Sequence, residues 1–144
     1  MPMIDVYTTT GTFADPHQLA IQLASTLKQI EGVPDISLFR KNTAAFVHDL
    51  PDGNLSNVDG DTNYVRVQVL TNAAALDRDK QLAVVSQFTQ LISDAAGDAG
   101  LASRTWVLLT EAIPGGWGIG GHAYTNDEIV AGARAQIAGL SGKS

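Results

Sequence analysis

The chain repeats one pattern of secondary structure, and this duplication restricts the fold more than any other feature. In each half, an apolar strand is followed by a helix and then by a second apolar strand. Both second strands end in an acidic residue and a turn that contains proline and glycine, in FVHDLPDG and LLTEAIPGG. Two strands joined by one helix favour parallel pairing with a right-handed crossover.

The duplication therefore predicts a fold that combines helices and a sheet, α/β in the broad sense that includes α+β, within a single domain of residues 1–144. Two fused β-α-β units, at about 1–58 and 59–144, form a four-stranded sheet with two helices on one face. A hairpin and a C-terminal helix complete the prediction. The other sheet face stays partly apolar, which predicts oligomerisation.

Capping residues and apolar spacing place the helices. Asp15 and Pro16 begin the first helix, and Gly32 ends it. Its apolar face carries Leu19, Leu23, Leu27 and Ile30. A second helix begins near Asp77, with a buried face of Val84, Val85, Phe88, Leu91, Ile92 and Ala95. The segment from Thr125 to Glu128 is a capping box that begins the last helix. Strands are predicted at 3–7, 43–48, 64–70 and 106–113.

The glycine-rich segment GWGIGG, at 116–121, matches the dinucleotide-binding pattern G-x-G-x-x-G. That interpretation needs a helix directly after the glycines, whereas the next helix begins only at Thr125. A tight β-hairpin fits better, because its glycines can adopt positive φ. Trp117 and Ile119 are then expected to pack onto another part of the chain.

Composition excludes several classes of function. The net charge is −6 and the nine basic residues are scattered, so a nucleic-acid partner is not expected. No apolar run is long enough to cross a membrane, and no signal peptide is recognisable, so we expect a cytoplasmic protein. The chain has no cysteine, and its three histidines lack metal-ligand spacing. We therefore predict neither a metal nor a cofactor.

Pro2 is an unusual residue at the start of a strand. If Met1 is removed, which a small second residue permits, Pro2 becomes the N-terminus and its nitrogen a secondary amine. An apolar pocket lowers the pKa of such an amine, because burial disfavours its charged form. We expect Met3, Ile4, Trp117 and Ile119 to form this pocket. The alternative is an ordinary proline at the start of a strand.

Pro2, the duplication and the ending LLTEAIPGGWGIGG together resemble the tautomerase superfamily. That ending is similar to 4-oxalocrotonate tautomerase, and the whole chain resembles fused members such as cis-3-chloroacrylic acid dehalogenase and malonate semialdehyde decarboxylase. The resemblance implies a homotrimer in which Pro2 is the catalytic base or acid. It also implies cofactor-independent tautomerisation of a small keto or enol acid, or of a related carbonyl compound. Pro2-dependent hydration, dehalogenation or decarboxylation is the alternative, as is a non-catalytic oligomeric binding protein.

The arginines that bind substrate in those relatives are missing here. Thr12 stands in place of one arginine, and the segment at 72–76, NAAAL, in place of two others. Arg40 is therefore the best candidate for binding substrate, with Thr12, Asn72 and Thr9 as weaker donors. Trp117 is expected in the wall of the site.

Overall fold

The computed structural model describes residues 1–141. Its strands are β1 (Met3–Thr9), β2 (Ala44–Leu50), β3 (Val65–Thr71), β4 (Thr105–Glu111), β5 (Trp117–Ile119) and β6 (His122–Tyr124). Its α-helices are α1 (Pro16–Glu31), α2 (Ser37–Lys41), α3 (Arg78–Ala96) and α4 (Asn126–Ser141), and a 3₁₀-helix spans Ala99–Arg104. The short α2 and the 3₁₀-helix were not predicted from the sequence.

The main sheet has the strand order β2-β1-β3-β4. β1 pairs with β2, and β3 with β4, in parallel, as the duplication predicts. β1 and β3 pair antiparallel at the centre of the sheet, with Val6 opposite Val67. Two β-α-β units thus form one sheet, and this confirms the predicted fold class. The division of the chain near residue 58 stays a prediction.

The core lies between the sheet and the helices α1 and α3. Ile4, Val6 and Val67 are fully buried there, together with Leu23 of α1 and Phe88 of α3. The predicted helix ends are confirmed. Asp15 accepts a hydrogen bond from the Gln18 amide at 3.0 Å, and Thr125 and Glu128 form the reciprocal bonds of a capping box.

Two details of the prediction were wrong. Val85 does not belong to the buried face of α3, because 38% of its surface is exposed, whereas its neighbour Val84 is fully buried. Strand β4 ends at Glu111, and Ile113 beyond it is exposed. In both places apolar residues continue past the stretch that the core covers.

The sheet face opposite α1 and α3 is open in the isolated chain. Its exposed apolar residues are Phe46, Leu70, Trp106 and Leu108. A single hydrophobic residue on a surface is ordinary, but a cluster of this kind is typical of an interaction surface. Among residues 1–141, no helix has the length and apolar character needed to cross a bilayer.

The adjacent residues Val84 and Val85 test which face of α3 is buried. Val84→Ala removes fully buried methyl groups, so we expect it to lower the free energy of unfolding by about 2 kcal/mol. Val85→Ala is the matched control and should change it by about 0.5 kcal/mol or less. Urea denaturation at one protein concentration measures both values. Equal losses would contradict the described orientation of the helix.

Candidate active site

Strand pairing buries the start of the chain. The Pro2 carbonyl accepts a hydrogen bond from the Ala44 amide at 3.2 Å, which extends the pairing of β1 with β2. On the other side, Met3 lies opposite Leu70 of β3, so the residues before Met3 reach the end of β3 and Asn72. Pro2 is buried, and only 2% of Met1 is exposed.

An apolar cluster surrounds this buried start. Its members are Met1, Ile36, Phe39, Trp117, Ile129 and Ala133, with Met3, Ile119 and Tyr124 partly buried against them. Trp117 and Ile119 belong to the hairpin of β5 and β6, which turns at Gly120 and Gly121, both with positive φ. The predicted hairpin is therefore confirmed, and it packs on the N-terminus together with α4.

Two polar side chains contact the terminal nitrogen of Met1 inside this cluster. Asn72 Oδ1 accepts a hydrogen bond from the nitrogen at 3.2 Å, and Glu31 Oε2 lies 3.6 Å from it. The Glu31 side chain is only 5% exposed. Within residues 1–141, its second oxygen, Oε1, is buried without a hydrogen-bond partner. A buried, half-satisfied carboxyl group is uncommon and is typical of a functional site.

Sequence reasoning missed Glu31, although the spacing contains the information. Leu19, Leu23 and Leu27 are the buried residues of α1, and Glu31 is the next residue at the same interval of four. Residues four apart lie on one face of a helix. The apolar face of α1 therefore ends in a carboxyl group that points towards the N-terminus of the chain.

Burial shifts both ionisable groups towards their neutral forms. Desolvation lowers the pKa of the Met1 amine, and the nearby Glu31 carboxylate opposes this shift. Desolvation likewise raises the pKa of Glu31, and the amine and Lys80 oppose it. Lys80 lies on α3 and donates a hydrogen bond to the Glu31 backbone carbonyl at 3.0 Å. An amine at this position is thus held in an environment that favours its uncharged, basic form.

Two cavities adjoin Met1. One, of about 140 Å³, lies between α2, α4 and the hairpin, and its wall includes Leu38, Ile119 and Gly132. The other, of about 250 Å³, includes Glu31, Phe39 and Asn72. Met1 and Ile129 line both cavities. Loss of Met1 would therefore open the two cavities into one space beside the nitrogen of Pro2.

The structure brings only some of the predicted site residues together. Asn72 and Trp117 border the buried N-terminus, whereas Ile4 points into the core under α1 and α3, so its predicted place in the pocket was wrong. The Arg40 side chain is 63% exposed, bonds to Asp35 Oδ1 at 2.8 Å and lines a separate cavity with Lys28. Arg40 therefore does not reach Pro2 of its own chain.

Thr12 and Thr9 lie at the opposite end of β1, about 20 Å from Pro2 along the strand. The Thr12 hydroxyl donates to the Thr9 carbonyl at 2.7 Å and accepts from the Thr8 hydroxyl at 2.8 Å. Both residues line a fourth cavity, of about 340 Å³. Within the described part of the chain, no group of three or more His, Cys, Asp or Glu side chains is arranged to hold a metal ion.

Solved structures share this fold, although no family model and no curated protein matches the sequence. A member of the cis-3-chloroacrylic acid dehalogenase family is 15% identical, with a TM-score of 0.69 over 90% of this chain and 89% of its own. A fused 4-OT that forms an asymmetric trimer is 20% identical, with a TM-score of 0.66 over 92% and 97%. A malonate semialdehyde decarboxylase is 14% identical, with a TM-score of 0.64 over 90% and 97%. The chain has the fold of the tautomerase superfamily.

The raised pKa of Glu31 predicts how stability depends on pH. The folded chain holds the Glu31 proton more tightly than the unfolded chain does. The stability that this provides is complete below the unfolded pKa and is lost as pH rises through the folded pKa. Relative to Glu31→Gln, the unmodified chain should therefore lose stability as the pH rises above 4.5, the ordinary pKa of a glutamate. Urea midpoints of both proteins measure this, and a constant difference would contradict it.

Proposed function

We propose that this chain is a cofactor-independent tautomerase or isomerase in which Pro2, exposed by removal of Met1, acts as general base and acid on a small keto, enol or related carbonyl compound. The observation that carries the proposal is the burial of the terminal nitrogen among apolar side chains, next to Asn72 and Glu31. The superfamily fold supports it independently.

Removal of Met1 has to precede folding. Met1 is 2% exposed and is held by Asn72 and Glu31, so no peptidase could reach it in the folded chain. The small side chain of Pro2 permits removal while the chain emerges from the ribosome. The nitrogen of Pro2 lies three covalent bonds from that of Met1, within about 4 Å. It therefore shares the environment that lowers the pKa of the Met1 amine.

The proposed reaction moves one proton. The neutral nitrogen of Pro2 takes a proton from the carbon next to a carbonyl group, and the bonding electrons form the enolate. The resulting ammonium group returns the proton to oxygen or to another carbon, which restores the neutral amine. A base is most effective when its pKa lies near the working pH, and burial brings a secondary amine towards that range. Asn72, whose side-chain oxygen contacts the Met1 nitrogen, can donate a hydrogen bond from its amide nitrogen to the developing oxyanion.

A Pro2-dependent hydratase, dehalogenase or decarboxylase is the second candidate. Two of the structural neighbours are a dehalogenase-family member and a decarboxylase, which supports it. Against it, the resemblance to the dehalogenase and the decarboxylase implies two arginines after β3, but the segment at 72–76 is NAAAL here. A non-catalytic binding protein on the same scaffold is the remaining alternative.

Replacement of Pro2 tests the proposal. Intact mass should first show that Met1 is absent from the purified chain. Pro2→Ala keeps a small residue at the new N-terminus but replaces the secondary amine by a primary one. We expect it to lower kcat by about 10²–10⁴-fold, the usual contribution of a general base. Ketonisation of phenylenolpyruvate and exchange of the α-protons of a neutral ketone are the assays.

Circular dichroism and the unfolding midpoint control for the fold of this variant. A retained Met1 would contradict the proposal, because the nitrogen of Pro2 would then be an amide. Equal activity of Pro2→Ala in both assays would contradict it as well.

We also propose that the chain forms a cytoplasmic homotrimer through the open sheet face, as a fused 4-OT with the same fold forms a trimer. Leu108 lies on that face and is 44% exposed. Leu108→Asp should convert a particle of about three times the 15.2 kDa chain mass into a monomer, since the interface would bury an unpaired charge. Ile21→Asp, at a 49% exposed position of α1, is the control. Light scattering measures both, and a monomeric unmodified chain would contradict the proposal.

A further inference from the structure

Met1 occupies the site in the way that a ligand would. Its side chain lies in the apolar cluster, and its polar end contacts Asn72 and Glu31. A compound that replaces Met1 therefore meets an apolar space at one end. At the other end it meets an amide and a carboxyl group, within reach of the nitrogen of Pro2.

The polar end of the site suits a carbonyl oxygen. The Asn72 amide can present its oxygen to an amine or its nitrogen to an oxygen atom. Burial raises the pKa of Glu31, so its carboxyl group can donate a hydrogen bond in the neutral form. The unpartnered oxygen of this carboxyl is the group that a bound molecule would satisfy.

The charges around the site disfavour an anionic substrate. Among the described residues that line the two cavities, none is Lys or Arg. Glu128 lies at the edge of the smaller cavity, and a hydrogen bond from the Thr125 backbone lowers its pKa, which keeps it negative. Lys80 is the cation beside Glu31, but it bonds to the backbone carbonyl of that residue. A substrate carboxylate would thus approach the negative Glu128 without a Lys or Arg in the wall to offset it.

We infer, on the basis of the proposed function, that the site selects an uncharged ketone or aldehyde with an apolar arm. The Glu31 carboxyl and the Asn72 amide hydrogen-bond its carbonyl oxygen, and the arm fills the space of the Met1 side chain. When the nitrogen of Pro2 takes the α-proton, the negative charge that develops on oxygen is stabilised by these two donors. Glu31 thereby takes the role that an arginine has for an acidic substrate.

A matched pair of ketones tests the substrate class. 4-Phenyl-2-butanone and 4-phenyl-2-oxobutanoate share the same arm and differ by a methyl group in place of a carboxylate. Exchange of their C3 protons in D₂O, followed by proton NMR on the mature chain, gives kcat/KM relative to the buffer-catalysed rate. We expect the neutral ketone to be favoured by about tenfold or more, because like charges at a binding site are strongly disfavoured.

Glu31 variants test the donor role with the same assay. Glu31→Gln keeps a neutral donor and should retain most of the activity on the neutral ketone, whereas Glu31→Ala should lose it. In the unmodified chain the rate should fall at high pH as Glu31 ionises, and this decline should be absent in Glu31→Gln. The charged or titratable groups facing Glu31 are the N-terminal amine, which precedes β1, and Lys80 of α3. Tyr124 and Glu128 line the smaller cavity.

Gly132 tests where the apolar arm binds. It lines the smaller cavity from α4, and its added Cβ would meet only Leu38 Cδ2, at 3.9 Å. Gly132→Leu fills the cavity while improving helix propensity, so it should raise KM for 4-phenyl-2-butanone by about tenfold without unfolding the chain. Gly139→Leu, on the same helix with no atom within 4 Å of the added Cβ, is the control.

The outcomes separate the inference from the function on which it rests. If exchange depends on Pro2 but the keto acid is favoured, the inferred substrate class is overturned and the tautomerase proposal stands. If Glu31→Ala keeps full activity, or Gly132→Leu behaves like its control, the assigned roles are overturned. If neither ketone exchanges in a Pro2-dependent way, both proposals are overturned.

Discussion

The antiparallel pairing of β1 with β3 is the constraint on which the remaining structure depends. It joins two β-α-β units into one sheet, with Val6 opposite Val67 at the centre and Ile4 opposite Val69 nearby. Because the pairing is antiparallel, the start of β1 lies beside the end of β3, and the start of β3 lies beside the end of β1. The start of the chain thus lies beside Asn72, and α1, which follows β1, brings Glu31 to the same place. The loop after β3 that carries Asn72 is strained at Ala74, which lines the larger cavity and has a φ of 58°, unfavourable for a residue with a side chain.

The sequence predicted the features that depend on local chemistry. Caps at Asp15 and Thr125 were predictable because their side chains bond within the same turn. The Gly120-Gly121 hairpin was predictable because few residues other than glycine adopt positive φ. The site was harder. Trp117 and Asn72 lie near Pro2. Arg40 does not, because its side chain leaves the short helix α2 towards Asp35, and Thr12 does not, because the length of β1 separates it from Pro2. To predict Glu31, the four-residue spacing of the buried leucines in α1 has to be extended by one interval beyond Leu27.

Glu31 is unfavourable for stability in two respects, which makes its position informative. It is buried with one unpartnered oxygen, and it is the last residue of α1, where the helix dipole disfavours negative charge. A leucine would continue the pattern of Leu19, Leu23 and Leu27. Groups that reduce stability in this way are characteristic of sites whose geometry serves a ligand or a reaction. Neutralisation of the carboxyl group relieves both effects, and a neutral acid is the form that can donate a hydrogen bond.

The duplication provides an internal comparison for the site. Tyr64 directly precedes β3, in the position that Pro2 has before β1. The cavity beside Tyr64, at the opposite end of the sheet from Pro2, is lined by Thr9, Thr12 and Tyr64. There Tyr64 stacks on Trp106 with ring centroids 4.5 Å apart, and Arg104 is bonded to Asp98 at 2.7 Å. A residue in the middle of the chain cannot provide a free backbone amine, whatever surrounds it. The two ends of the sheet are thus equivalent in strand topology but not in chemistry. Only the end that contains the chain terminus can carry a free backbone amine, and there the hairpin and α4 pack over it.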